Sequence, residues 1–258
     1  MDRLAHAVAQ TLAAERLEGW VPTDEHVAAL NSLICGRVSF ADYFSTFRAR
    51  HPPPQRHRRR PGLRRVAPYL IPGTTLLRNN FGAGTAEMLA DLEFVATAGR
   101  MALWLSGDGT DSLDVRVLHR QLFADVYPWA GSYRTTELRR GEQGFAWVST
   151  IEAGMAKVHD KALSIVAGSS GYDEVRLAYE LATLYADFNQ LHPFREGNGR
   201  TGALLLHGVA ARCGFTLDLS QVRRSQWYAA AADSMLFCRD GRASHRPFLY
   251  LLRDTVRR

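Results

Sequence analysis

Nine consecutive residues, His192-Pro193-Phe194-Arg195-Glu196-Gly197-Asn198-Gly199-Arg200, combine the side-chain types needed to handle a phosphate. Gly197 and Gly199 flank Asn198, so the backbone can approach a ligand closely and present several N–H groups together. The apolar run Ala203-Leu204-Leu205-Leu206 predicts a buried helix whose positive end points back into this loop, an arrangement suited to an anion. Around it, His192 is a candidate proton acceptor, Glu196 an oxygen ligand for a hard cation, and Arg200 a bidentate partner for phosphate. Such a set suits phosphoryl or nucleotidyl transfer.

Helical periodicity supplies the elements that must position these residues. A helix from about residue 172 to Leu191, with Val175, Leu181, Leu184, Tyr185 and Phe188 on its apolar positions, delivers the chain to His192. The helix that follows ends at Cys213-Gly214, with Gly214 as a left-handed cap. Further helices are expected over 85–104, broken at Gly107-Asp108-Gly109, through Val115 to Phe123, over 150–167, and over 225–252 with a break near Gly241. One β signal stands out: 133–138 and 144–148 flank Arg139-Arg140-Gly141-Glu142-Gln143, the pattern of a hairpin. A lone hairpin is barely stable in water, so it must pack on the helices.

Residues 1–50 predict three short helices. The first ends at Gly19, the second starts from a Thr23 cap and ends at Gly36, and the third starts from Ser39 with Asp42 in the reciprocal position. Residues 51–65 form a basic, proline-broken, apolar-poor stretch, read as a solvated connector. It lacks the interleaved aromatics of a single-strand binding platform, so nucleic acid is not the expected partner. The 258 residues, 46% of them hydrophobic, suffice for one sizeable core. No apolar run reaches the roughly 18–20 residues that cross a bilayer, so no membrane partner is expected. The start of the chain has no signal-peptide core, which predicts a cytoplasmic protein. Cys35, Cys213 and Cys238 are scattered and suggest no disulfide framework. Net charge is +6, carried almost wholly by arginine.

The nine-residue stretch resembles the signature of the Fic proteins, His-x-Phe-x-Asp/Glu-Gly-Asn-Gly-Arg-x-x-Arg, and matches every fixed position through Arg200. Leu122-Phe123-Ala124-Asp125-Val126-Tyr127-Pro128-Trp129-Ala130-Gly131 resembles the segment leading into the Fic flap, and Tyr69 through Gly82 the entry to the domain. The resemblance covers roughly residues 66–255. It implies an all-α fold with one β-hairpin flap over the active site. The first three helices resemble the small antitoxin that inhibits a class of Fic toxins through Ser/Thr-x-x-x-Glu-Gly/Asn. Here Ala14 stands at the hydroxyl position and Glu18-Gly19 are kept. The implied organisation is an antitoxin-like module (1–50), a linker (51–65) and a Fic domain (66–258).

The resemblance implies transfer of AMP from ATP to a Ser, Thr or Tyr hydroxyl of a target protein. In that scheme His192 accepts the hydroxyl proton and Glu196 holds Mg²⁺. The N–H groups around Gly197, Asn198 and Gly199 stabilise the α-phosphate, and Arg200 grips the leaving pyrophosphate. Trp227 and Tyr228 lie against the adenine or serve as core aromatics, and Phe194 anchors the loop. The flap, from about 135 to 146 with Thr135, Thr136, Glu137 and Phe145, aligns the target by strand addition. Glu18 is the inhibitory residue, and the N-terminal module docks in cis or in trans.

The sequence departs from the family at Ala203, where a second arginine normally contacts the γ-phosphate and receives the inhibitory glutamate. Losing one charge-assisted contact costs about 1.5–3 kcal/mol, which predicts weaker ATP binding or a different donor with the chemistry retained. Glu18 is left without that partner; Arg212 is one candidate substitute. The alternatives are a degenerate Fic domain that binds nucleotide or partner without turnover, and a transferase using another phosphate-containing donor. Gly199 argues against the branch that carries lysine there.

Overall fold

A computed structural model describes residues 3–51, 68–109, 111–141, 143–235 and 243–258. The basic stretch expected as a linker and the break near Gly241 lie largely or wholly outside the described residues. Among the described residues the chain is predominantly helical.

The expected N-terminal helices form with their predicted caps. Helix α1 (Arg3–Glu18) closes on Gly19, where φ is +105° and the bonds Gly19 N–H to Arg16 O and Trp20 N–H to Glu15 O complete a glycine-dependent stop. Thr23 caps α2 (Asp24–Ile34), and Ser39 caps α3 (Phe40–Arg48) by accepting from the Asp42 N–H. Their apolar faces converge on α4 (Ala86–Leu103), where Val95, Ala98 and Ala102 join Val8, Leu12, Leu30, Leu33, Tyr43 and Phe47. Gly99 lets α3 come this close, since a Cβ there would fall 2.7 Å from the Tyr43 ring. The N-terminal module therefore borrows its floor from the larger unit.

The main core is built from α4, α5 (Val115–Phe123), α6 (Val148–Ala167), α7 (Glu174–Leu191), α8 (Asn198–Arg212), α9 (Arg224–Asp233) and α10 (Arg246–Leu252). Helix α8 is central and almost wholly buried from Thr201 to Ala210. Gly202 allows α7 and α8 to touch, because a Cβ there would sit 2.6 Å from Tyr185 and 2.9 Å from Phe188. Helix α1 enters the same core through Ala13, Ala14 and Leu17, against α4 and α8.

The β content differs from expectation. The flap ladder is two residues long on each side, β1 (Arg139–Arg140) against β2 (Gln143–Gly144), with Arg139 opposite Gly144 and Arg140 opposite Gln143. Residues 133–138 do not form the predicted strand, because Arg134 and Thr135 take hydrogen bonds elsewhere. A second small sheet, β3 (Thr216–Leu217) with β4 (Val256–Arg257), was not foreseen. It pins the chain end beside α8, and neither two-residue strand is long enough to show a period-2 pattern.

Candidate active site

Helix α7 ends at His192, the one described non-glycine residue with positive φ (+44°, ψ +60°). This left-handed turn reverses the chain and directs it into the loop before α8. Two devices hold the loop. The Asn198 side chain closes it on itself, accepting from the Phe194 N–H at 2.9 Å and donating to the Phe194 carbonyl at 2.8 Å. Beneath it, His119 of α5 stacks on Phe194 at 3.9 Å and reaches the Glu196 carbonyl at 3.1 Å through Nε2. Its Nδ1 accepts from the Gly131 N–H at 2.8 Å, so the proton resides on Nε2, which donates to Glu196. Burial holds the His119 pKa down at about 3 and keeps that neutral form.

Gly197 caps α8 in the left-handed region (φ +78°), and any Cβ there would strike the Phe123 ring. Its role is close packing, and it does not line the cavity. The N–H groups of Asn198, Gly199 and Arg200 open the helix and have no intrahelical acceptor. At that end lies a cavity of about 270 Å³, lined by Glu18, Arg140, Phe145, His192, Glu196, Gly199 and Tyr228 among others. The structure thus brings together six of the expected site residues and the flap.

His192 lies under the flap. Phe145 stacks on its ring at 3.8 Å with the planes 11° apart, and Nδ1 is buried with no hydrogen-bond partner. Burial first, then the charges of Arg140 and Arg134, push the His192 pKa down to about 3. The imidazole is therefore neutral, with the Asn189 backbone as a hydrogen-bond partner. Glu196 accepts from the Gly197 N–H at 3.1 Å through Oε1, and burial and the neighbouring Glu93 raise its pKa. It is the acid on the cavity wall closest in chain to the amide cradle. Trp227 and Tyr228 both line the cavity, Trp227 buried and packed with Tyr185 and Phe248, Tyr228 half-buried.

Arg200 corrects the sequence reading. Its guanidinium points away from the cavity into a cage, bonding Glu93 directly, Thr97 Oγ1 at 3.0 Å, and lying 3.7 Å from Glu15. Tyr127 donates to Glu93, and Thr97 donates to Glu15 at 2.8 Å. The cause is electrostatic: buried Glu93 and Glu15 pair with this cation, and half-buried Glu18 and Glu196 add to the attraction. Arg200 is 3% exposed and holds helices α1, α4 and α8 together. Burial raises the Glu15 pKa to about 8 despite Arg200.

Glu18 is where the inhibitory reading needs it, but its partner differs. Its carboxylate lies directly on Gly199, in the space a Cβ would fill, at the positive end of α8. Burial raises its pKa, while Arg200, Arg140 and Arg224 pull the other way. Arg212, the suggested substitute, is elsewhere, paired with Asp111 beside Arg3 and Trp104. Ala203 is 2% exposed and packs in the core.

The expected flap residues divide. Phe145 lines the cavity, but Thr135 is bonded through its N–H to the Tyr69 hydroxyl at 2.7 Å, and Glu137 accepts from the Val148 N–H at 3.1 Å. The Thr136 carbonyl accepts from Arg134 at 2.9 Å. Arg134, buried to 2%, also bonds the His192 carbonyl at 2.9 Å and the Ala146 carbonyl, lashing the flap base to the histidine turn. Sequence reasoning missed Arg134, His119, Glu93 and Glu15. A buried arginine in an apparent strand gives no local signal. His119 had one, since it shares a helix face with Phe123 four residues on.

The family model described as Fic/DOC family matches residues 109–210, and that of the antitoxin VbhA matches residues 5–50. A relative named "Probable protein adenylyltransferase Fic", from Escherichia coli, is 30% identical over 165 residues, which cover 63% of this chain and 82% of the relative. The chain belongs to the Fic/DOC family. The protein adenylyltransferase VbhT of Bartonella schoenbuchensis is 28% identical over 174 residues, covering 65% of this chain and 35% of VbhT. Among solved structures, BepC from Bartonella tribocorum, with bound AMPPNP, superposes with a TM-score of 0.64 over 73% of this chain and 96% of its own, at 21% identity. This Fic fold is the helical architecture described above, and the antitoxin match coincides with α1 to α3. No helix among the described residues is long and apolar enough to cross a membrane.

Proposed function

We propose that this Fic protein is a protein adenylyltransferase that transfers AMP from ATP to a hydroxyl side chain of a target protein, and that its first helix restrains it. The relatives' activity supports the reaction class. The observation that carries the restraint is the Glu18 carboxylate seated on Gly199 at the open amide end of α8. An anion-sized space faced by free N–H groups, in one cavity with a neutral histidine, is what the α-phosphate needs.

In this reading the hydroxyl oxygen attacks the α-phosphorus as its proton passes to the His192 imidazole. The bond from that phosphorus to the bridging oxygen breaks, and pyrophosphate leaves. The Asn198 and Gly199 N–H groups receive the charge that develops on the α-phosphate oxygens. Glu196 suits Mg²⁺, because one carboxylate beside phosphate oxygens is the usual donor set for that ion. Bound there, Mg²⁺ would neutralise phosphate charge. Tyr228 supplies a half-buried ring for the base. With Thr135, Thr136 and Glu137 engaged internally, the edge left for a target chain is Leu138 to Arg140. Residues 1–50 act as the restraining module, and the activity is read as cytoplasmic.

The test is incubation of the full chain with α-labelled ATP, Mg²⁺ and lysate. The Glu18→Gly variant should label protein more than the unaltered chain, and Glu18→Gly with His192→Ala should label none. Label transfer by the histidine-free variant, or none by either form with any nucleotide, would remove the enzyme reading.

A further inference from the structure

Among the described residues that line the cavity, one buried cationic donor lacks a partner, and it belongs to the flap. Arg140 lines the cavity from β1, with its guanidinium 5.4 Å from the Phe145 ring centre and 5.5 Å from that of Tyr228. Its Nη1 is buried and has no hydrogen-bond partner. Buried guanidinium N–H groups are normally satisfied, so an orphan at the mouth of an anion site marks a missing acceptor.

The other basic residues nearby do not meet this description. Arg200 also has a buried nitrogen without a partner, Nε, but it does not line the cavity and its other nitrogens are committed to the cage. Arg224 is exposed and lies on the Tyr228 ring at 4.5 Å without lining the cavity. Arg139 lines the cavity but is exposed, and Arg195 has no nitrogen that is both buried and unpartnered. The charge balance also calls for a cation. Arg200 is already paired with Glu93, while the acids Glu18 and Glu196 line the cavity, and a helix N-terminus adds only about half a positive charge. A triphosphate brings several further negative charges into this setting.

We propose that Arg140 holds the outer phosphates of the nucleotide, and that in the restrained state the same guanidinium shares the cavity with the Glu18 carboxylate without bonding it. This rests on the nucleotide reading given above. It assigns to the flap a contact that α8 cannot make, because Ala203 is buried and apolar. Triphosphate and Glu18 then compete for the amide end of α8, and only the triphosphate also engages Arg140. Nucleotide binding and release of the restraint are thereby coupled at one end of α8, with the flap residue adding affinity only for the nucleotide.

Isothermal titration of the full-length Glu18→Gly protein, with a non-hydrolysable ATP analogue and separately with AMP, distinguishes the outcomes. Adding Arg140→Ala should weaken the analogue about ten- to a hundredfold while AMP changes by less than about threefold, because AMP lacks the outer phosphates. Arg140→Lys should recover part of the loss as a point charge. Arg195→Ala and Arg224→Ala should each stay within about threefold. Equal losses for AMP and the analogue would make Arg140 a packing residue, and loss on Arg195→Ala or Arg224→Ala instead would assign the cation elsewhere. Either result overturns the proposal, as does unchanged affinity in Arg140→Ala, while leaving the nucleotide reading intact. Failure of Glu18→Gly itself to bind either probe would remove that reading, and this proposal with it.

Discussion

Arg200→Met separates a structural arginine from a phosphate-gripping one. In the folded protein the guanidinium is the cation shared by Glu93, Glu15 and Thr97, all on elements other than its own. Removing it leaves two buried carboxylates without their partner, and breaking a buried pair from one side costs about 3–5 kcal/mol. Protonation limits this cost, and the raised pKa of Glu15, about 8, shows that this acid already tends to the neutral form. The lower end of the range is therefore expected. For a chain of this size, 3–5 kcal/mol corresponds to a fall in Tm of roughly 6–20 °C. Thermal unfolding without nucleotide measures it directly. Adding Glu93→Gln to Arg200→Met should recover part of the loss, because the amide can still accept from Tyr127 and no longer brings an unpaired charge. If Arg200→Met unfolds within about 2 °C of the unaltered protein and instead loses affinity for the ATP analogue, the cage is not what holds Arg200 and the reasoning fails.

Phe145→Ala uncovers the His192 ring, so its pKa should rise from about 3 toward the ordinary value near 6.5 in an NMR titration; no movement would mean the flap is not what buries it. Gly197→Ala forces a Cβ into Phe123 at a left-handed φ, which should lower stability by more than about 1 kcal/mol in chemical denaturation; a neutral result would show that α5 and α8 are not in close contact. Acid should destabilise the protein in a defined window. His119, His192 and His207 are all held near pKa 3 by burial. Their contribution is present above the unfolded value of about 6.5 and is lost as pH falls through it toward 3. Glu15, Glu18 and Glu196 have raised values, so their contribution is present below about 4.5 and fades as pH rises through their folded pKa, about 8 for Glu15. Below about pH 4.5 the three raised acids no longer change, the lowered carboxyls of Glu25 and Asp218 act in the same direction as the histidines, and the expected loss from the histidines is on the order of 4 kcal/mol per pH unit for three protons. A stability that stays flat between pH 4.5 and 3.5 would show these rings to be hydrated.

The order of helices, their caps and the loop that joins α7 to α8 were legible in the chain. Thr23, Ser39, Gly19 and Gly214 act through hydrogen bonds and dihedral angles only a few residues long, and such local terms are written in local sequence. Gly199 was legible for the same reason: only a glycine leaves an amide end open to an anion. Tertiary structure alone decided which groups face that opening. Arg200 sits within the expected motif, yet Glu93, about a hundred residues earlier, and Glu15 from the N-terminal helix turn it inward. Arg140 lies in what looked like a hairpin loop, and folding sets it across the cavity from Glu18. Charges interact over distances in space that bear no relation to separation along the chain. The chain therefore determined where an anion can be held, and only its packing determined which arginine is free to hold it.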